Sequence, residues 1–372
     1  MTMPSLFDCF QDLEDPRWDR FKLHKFNDIL FIAICATLCG ADGWVDLEQF
    51  AIAKEEWLRR HIDLPNGPPS DDTFRRVISH IDPEAFETCF RRWVATVVEK
   101  TDGELIALDG KTLRGSYDRS DDKAALCMVS AFASANGLIM AQEKVADKSN
   151  EITAIPKVLS ALELAGCLVT IDAMGTQREI ARQIRDQGGD YVLALKSNHP
   201  TLYEDVRTFF DEAQAKQFHG IAHDYHQHTD GGHRRIEVRQ CWCVDDVEWL
   251  RHQDRWAGLQ SIVKIEARRL VEGRERLEGR FYISSLPAQA ERLLAAVREH
   301  WGIENRVHWV LDVSFSEDQS RIRKDHGAEN MSLLRRLTLN LIRQEQTTKG
   351  SMKVKRKRAG WDNRYLEKVL GL

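Results

Sequence analysis

The chain has 372 residues, 42% of them hydrophobic and 30% charged, with a formal net charge of -5. Single domains commonly run to roughly 100–200 residues, so two or three are expected and a sizeable core can be buried. The longest apolar run, Ile29 to Cys39, falls short of the roughly 20 residues a membrane helix needs, and no basic segment with a cleavage site precedes it, which predicts a soluble cytoplasmic protein with no membrane partner.

The first hundred residues read as helical. Asn27 is placed to cap a helix through the apolar run, with Gly40 past its end. A second helix fits 46–62, where Leu47, Phe50, Trp57, Leu58 and Ile62 share a face. Pro65-Asn66-Gly67-Pro68-Pro69 breaks the chain. Ser70 and Asp82 are N-cap types for two further helices, the latter with Pro83 at its first position and a stripe of Phe86, Phe90, Trp93 and Val97. Residues 1–100 sum to about -6, which suits a helical scaffold at least as well as a DNA reader.

From about residue 104 strands take over. Leu105-Ile106-Ala107-Leu108 is a continuous apolar run ending in Asp109, the pattern of a strand buried on both faces. Residues 124–133 and 138–145 read as two more strands joined by a hairpin at Asn136-Gly137. A helix from Glu151 carries Ile152, Ile155, Val158, Leu159 and Leu162 on one face and leads into Leu168-Val169-Thr170-Ile171 and Asp172. A helix over 176–187 and a strand over Tyr191 to Leu195 follow. Three strands, then alternating helix and strand, is the order of a ribonuclease-H-like α/β core.

Residues 221–286 interrupt that order with two expected hairpins, turning at Asp230-Gly231-Gly232 and near Glu272-Gly273, read as an inserted β-rich subdomain. Cys241 and Cys243 flank Trp242 there, with His223, His226, His228 and His233 nearby. A half-buried strand explains that spacing better than zinc, whose ligand pairs are usually C-x2-4-C. The eight cysteines are scattered through a long chain and read as reduced thiols. Helical periodicity returns over 288–311 and 326–344. Residues 321–372 carry 14 Lys and Arg against 5 Asp and Glu, while the rest of the chain sums to -14, so phosphate contacts are expected at this end. The expected units are 1–100 (helical), 101–220 and 287–345 (core), 221–286 (insertion) and 346–372 (basic tail).

The chemistry rests on carboxylates. Asp109 and Asp172 each end a buried-type strand, and open α/β sheets place their sites at such ends. Each alone is more often a turn residue. Leu294, Val297, Trp301, Glu304, His308 and Leu311 follow a 3,4,3,4,3 spacing, which puts Glu304 on a core stripe. A carboxylate there must be protonated, paired or metal-bound; pairing with Arg298 or Arg306 is disfavoured because both lie off the stripe. Three carboxylates from two strands and a helix make an oxygen site suited to Mg2+ or Mn2+, and a pair of such ions drives in-line phosphodiester displacement.

At these residues the sequence resembles the ISAs-type (H-repeat-associated) insertion-sequence transposases of the DDE class. The similar segments are Leu108-Asp109-Gly110-Lys111-Thr112-Leu113-Arg114-Gly115-Ser116, Ile171-Asp172-Ala173-Met174-Gly175-Thr176-Gln177 and His300-Trp301-Gly302-Ile303-Glu304-Asn305. Lys148-Ser149-Asn150-Glu151, Leu195-Lys196-Ser197-Asn198, Tyr282-Ile283-Ser284-Ser285-Leu286 and Pro69-Ser70-Asp71-Asp72-Thr73-Phe74 also match. The resemblance implies a ribonuclease-H-like mixed sheet with a β-rich insertion and an all-helical N-terminal domain. It also implies Asp109, Asp172 and Glu304 as a metal-binding catalytic triad holding Mg2+ or Mn2+, two ions. Double-stranded DNA, as element ends and target, would be the partner, with a homodimer on paired ends and a nucleoid-associated location.

Related families surround the third carboxylate with a tyrosine, arginine, glutamate and lysine signature; here Val297, His300 and Leu311 stand at the other three positions. His300, Arg321, Arg323 and Lys324 are expected to take over part of the phosphate clamping. Lys111 and Arg114 are candidates for the scissile phosphate, or a solvated loop. Trp301 and Trp309 are candidates for stacking on an unpaired base, with core packing favoured for Trp301. Lys353, Lys355, Arg356, Lys357 and Arg358, interleaved with Trp361 and Tyr365, suit sequence-independent DNA binding or a solubilising tail. A nuclease that cuts without joining, and a silent DNA-binding remnant, remain open.

Overall fold

The computed structural model describes residues 6–18, 22–98, 103–117, 124–146, 149–232, 235–271 and 274–372. Lys148, His233 and the expected turn at Glu272-Gly273 lie outside the described residues. Strands β1 (Leu105–Leu113), β2 (Leu126–Ala133), β3 (Leu138–Lys144), β4 (Leu168–Ile171), β5 (Asp190–Leu195), β6 (Asp224–Gly232), β7 (Arg235–Val244), β8 (Ser261–Val271) and β9 (Arg274–Ser284) form one sheet. Their order is β3-β2-β1-β4-β5-β9-β8-β7-β6. β1, β4 and β5 run parallel in the middle; every other pairing is antiparallel.

Period-2 alternation decides which layer each strand residue joins. Leu105 and Ala107 of β1 face a layer built by the N-terminal helices and the C-terminal third of the chain. Ile106 and Leu108 face the other layer, formed by helices Glu151–Ser160, Arg178–Asp186 and Pro200–Ala215.

Two expectations about the units change. The inserted hairpins do not fold apart from the core: Phe281 to Ser284 of β9 pair with Val192 to Leu195 of β5, so they extend the core sheet. The N-terminal helices share one apolar cluster with helices Gly327–Gln344, Met352–Trp361 and Asn363–Leu370. Residues 346–372 are therefore a packed helical pair rather than a tail. Ser70 and Asp82 cap their helices as expected, but the span 46–62 is broken near Lys54 into Trp44–Ala53 and Glu55–Leu58. No single described helix is long and apolar enough to cross a membrane.

Gly327–Gln344 is buried along most of its length, and its polar residues bind it to the sheet and to an N-terminal helix. Asn340 accepts from Ile139 N at 3.0 Å and donates to Ile139 O at 2.8 Å, satisfying backbone groups on edge strand β3. Asn330 donates to Ile78 O and Ile81 O, holding the helix Asp71–His80. Cys241 and Cys243 are both fully buried on one side of β7, and burial raises both thiols, Cys243 to about 12.

Glu345, 6% exposed, anchors the C-terminal pair. It accepts from Thr347 N (3.0 Å), Thr348 N (3.1 Å) and the Tyr365 hydroxyl (3.0 Å), with Lys355 Nζ 3.6 Å away. Burial alone would raise its pKa, but these donors and the ammonium outweigh that and hold it down to about 2. A folded pKa below the ordinary 4.5 contributes stability that is complete above about pH 4.5 and lost as pH falls through about 2. Glu345→Gln is expected to cost on the order of 3 kcal/mol at neutral pH and to lose that deficit at the acid end. Urea unfolding from pH 7 down to pH 2 measures it; a deficit independent of pH would show that the charge is not what matters.

Candidate active site

β1 outruns its parallel neighbour. Leu108 pairs with Ile171, the last residue of β4, whereas β1 continues to Leu113. Asp109 therefore lies inside a strand, opposite Ser130 of β2, and has open space on its other side where β4 has stopped. The chain leaving β4 puts Asp172 beside that space. Asp172 Oδ1 accepts from Met174 N at 3.0 Å and Gly175 N at 3.3 Å, a local turn that fixes its carboxylate, and Thr176 ties the turn to Ala194 O at 2.6 Å.

Glu304 arrives from the helical layer. Helix Ala290–His300 packs over β1, β4 and β5, and the chain then makes a π-helical turn, Glu304–His308, before Trp309–Phe315. The α-helix ends at His300 with Trp301 as its C-cap, and this break and the wider turn after it shift the helical phase, so the buried positions become Ile303, Val307, His308 and Leu311. Glu304 and Trp301 rotate outward: the Glu304 side chain is 54% exposed and Trp301 is 45% exposed. This corrects the expected core stripe, and with it the expectation that Trp301 packs inside. Arg298 pairs with Asp230 and Arg306 donates to Ser134 O, so neither neutralises Glu304.

His308 is its hydrogen-bond partner instead. Its Nδ1 donates to Glu304 Oε2 at 3.0 Å and stands 3.5 Å from Asp109 Oδ2, and the imidazole is 4% exposed. Asp109, Glu304 and His308 each place a ligand atom within 4.8 Å of the others, a group able to hold a metal ion. Asp172 is outside that tight group but shares a cleft of about 450 Å³ with Asp109, His300 and Trp301.

The charges are mutually unfavourable without a cation. Burial pushes Asp109 up to about 6, Asp172 and Glu304 add to the rise, and His308 opposes it. Glu304 is lowered, chiefly by its hydrogen bond from His308. Burial also raises Glu151, and Asp172 and Asp109 raise it further. Like charges this close are relieved by a positive ion, and carboxylate oxygens are the donors that hard divalent ions take.

Residues 100–341 match the family described as Transposase DDE domain, and residues 7–94 match a DDE_Tnp_1-associated family. The chain belongs to the DDE transposase family. Its relatives include "Putative transposase YncI" of Escherichia coli O157:H7, 41% identical over 100% of this chain and 95% of that one. "H repeat-associated putative transposase YhhI" of Escherichia coli K12 is 37% identical over 100% of this chain and 98% of its own length. A piggyBac transposase synaptic complex with hairpin DNA, solved by cryo-EM, overlays with a TM-score of 0.45 at 9% identity, covering 98% of this chain and 80% of that one.

Several expected DNA contacts of this transposase are committed to its interior. Lys111 is 7% exposed, with Nζ 2.7 Å from Asp312 and 3.3 Å from Asp318, so its charge is neutralised within the protein. Lys355 and Arg356 are likewise buried. Lys355 donates to the Ile342 and Glu345 carbonyls, and Arg356 donates to Thr37 O at 2.7 Å and lies over the Phe315 ring. Burial pushes His300 down to about 4, leaving a neutral imidazole hydrogen-bonded with Thr170 Oγ1, not a cationic clamp. Arg323 is half-buried and donates to Gly115 O. Arg114, Arg321, Lys324, Lys353, Lys357 and Arg358 remain exposed.

Two site neighbours escaped the sequence reading. His308 stands at i+4 from Glu304, a spacing that fits a core stripe as well as a partner. Glu151 stands in the matching segment Lys148-Ser149-Asn150-Glu151 with no role attached, because an acidic first-turn residue is common at helix starts.

Proposed function

We propose that this transposase cuts DNA at the ends of a bacterial insertion sequence and joins the freed 3'-hydroxyls to target DNA, on a ribonuclease-H-like core with Asp109, Asp172 and Glu304 as its catalytic triad. The observation that carries this is the meeting of Asp109 with Glu304 and His308 beside Asp172, at the point where β4 ends and the sheet opens. Mg2+ or Mn2+ bound there, in the two-ion form, would activate a water or 3'-hydroxyl and stabilise the leaving oxygen. Asp109, Asp172 and Glu304 would hold the ions, with Asp172 fixed by its own turn and Glu304 closing the site from the helical layer.

The exposed flank of Glu304 leaves room for a phosphodiester. Trp301, with Arg280 stacked on it at 4.7 Å, presents a flat apolar face beside the carboxylates on which an unpaired base can stack. Arg114, with its side chain 83% exposed, Arg321, Lys324, Lys353, Lys357 and Arg358 supply the phosphate contacts. Paired element ends call for two copies, a homodimer on DNA, acting in the cytoplasm on nucleoid DNA.

Incubating inverted-repeat DNA and a target plasmid with Mg2+ and the wild type, Asp109→Ala, Asp172→Ala or Glu304→Ala tests this. Cut ends and joined product are expected from the wild type alone. Cutting without joining makes the protein a nuclease, and binding without Mg2+-dependent cutting makes it a silent binder. His308 positions Glu304, so His308→Asn, which keeps a donor at the δ position, is expected to retain most activity while His308→Leu loses roughly 10–100-fold. Equal single-turnover cleavage rates for the two variants would remove that role.

A further inference from the structure

We propose that Glu151 is a fourth carboxylate of the cation site, holding a divalent ion together with Asp109 and Asp172. This rests on the metal-dependent reading above and adds a ligand to that site.

Asp109 shares the face of Leu105 and Ala107, from which Glu304 approaches. Gly110 shares the opposite face, of Ile106 and Leu108, against which helix Glu151–Ser160 packs through Ala154, Ile155, Val158 and Leu159. Carboxylates thus reach the open end of the sheet from both layers. The Glu151 carboxylate fills the space above Gly110: a Cβ built there would collide with its Oε1, Cδ and Oε2 atoms. The glycine directly after Asp109 is a slot for this group.

Nothing in the helix requires the inward turn. Asn150 already caps it, accepting from Ile152 N at 3.1 Å. The helix dipole favours an acidic first-turn residue whether it points to water or inward. The Glu151 carboxylate instead lies against Gly110, receives only a 3.8 Å contact from the Cys127 thiol, pairs with no Lys or Arg among the described residues, and feels the charges of Asp172 and Asp109. Such an arrangement repels itself until a cation sits between the groups, and hard cations take six or more oxygen ligands.

The full chain is titrated with Mn2+ alone, reading bound ion by electron paramagnetic resonance and the melting midpoint by circular dichroism. Glu151→Gln is expected to weaken Mn2+ binding tenfold or more, while its metal-free form melts at or above the wild type because a repulsion is gone. Gly110→Ala, which displaces an intact Glu151, is expected to weaken binding similarly. Mn2+ affinity of Glu151→Gln within twofold of wild type overturns the proposal, as does a metal-free midpoint several degrees lower, which would make Glu151 structural. If Asp109→Asn also binds Mn2+ like wild type, the cation site is misread and the proposed function falls with it.

Discussion

Asp109→Asn is expected to lower Mg2+-dependent cleavage of element ends by about a thousandfold or more in single turnover, with no loss of fold. Asp109 is the member every other site residue faces: His308 stands 3.5 Å away, and Asp172 and Glu304 both act on its charge. Asparagine keeps the shape and the Gly110 N contact but removes the anion that would hold a divalent ion. Losing a ligated ion's transition-state stabilisation is worth several kcal/mol, and about 4 kcal/mol corresponds to that factor. The metal-free variant should melt no lower than the wild type, because the removed charge lies among like charges. A cleavage rate within tenfold of wild type, or an activity loss explained by unfolding, would count against Asp109 as the central ligand.

The largest stability effect is expected beside the site. Arg336 and Glu317 are both 0% exposed, with Nη1 2.9 Å from Oε1, and Arg336 Nε donates to Ser130 Oγ at 3.2 Å. Ser130 is the β2 residue opposite Asp109, so this pair fastens the helix Gly327–Gln344 to the strand beside β1, on the face that Asp109 shares. Removing one member leaves the other charged and buried, which costs about 3–5 kcal/mol, a large part of the total stability of a typical domain. Glu317→Ala should therefore move the urea midpoint strongly. The double change Glu317→Leu with Arg336→Met should cost less than Glu317→Ala, since desolvation offsets much of a buried pair's attraction. A Glu317→Ala cost below about 1 kcal/mol would show that water reaches the pair.

The catalytic half of the fold was legible because its signals are local. Continuous apolar runs marked β1, β4 and β5, Asn136-Gly137 marked a hairpin, and Asp82-Pro83 marked a helix start. What failed depends on partners far away in the chain. The pairing of β5 with β9, which merges the insertion into the core sheet, links segments about 90 residues apart with no pattern announcing it. Net charge located the basic end but could not separate Lys355 and Arg356, turned inward onto backbone carbonyls, from Lys353 and Lys357 on the outer face. Lys111 was misjudged for the same reason: its partners, Asp312 and Asp318, come from a different layer. The spacing of 294, 297, 301 and 304 fits an unbroken α-helix, but the helix ends at His300 and a π-turn follows, which leaves Trp301 and Glu304 exposed rather than on a core stripe. The triad itself came from the resemblance as much as from strand ends, since neither aspartate alone outweighs a turn residue.

Anomalous diffraction from crystals of the full chain grown with Mn2+ tests most directly whether these carboxylates share an ion. Density bonded to oxygens of Asp109 and Glu304, with Asp172 on the same cluster and the signal lost in Asp109→Asn crystals, is the expected result. No signal there at Mn2+ concentrations that support cleavage, with Glu304 turned away to solvent, would contradict it.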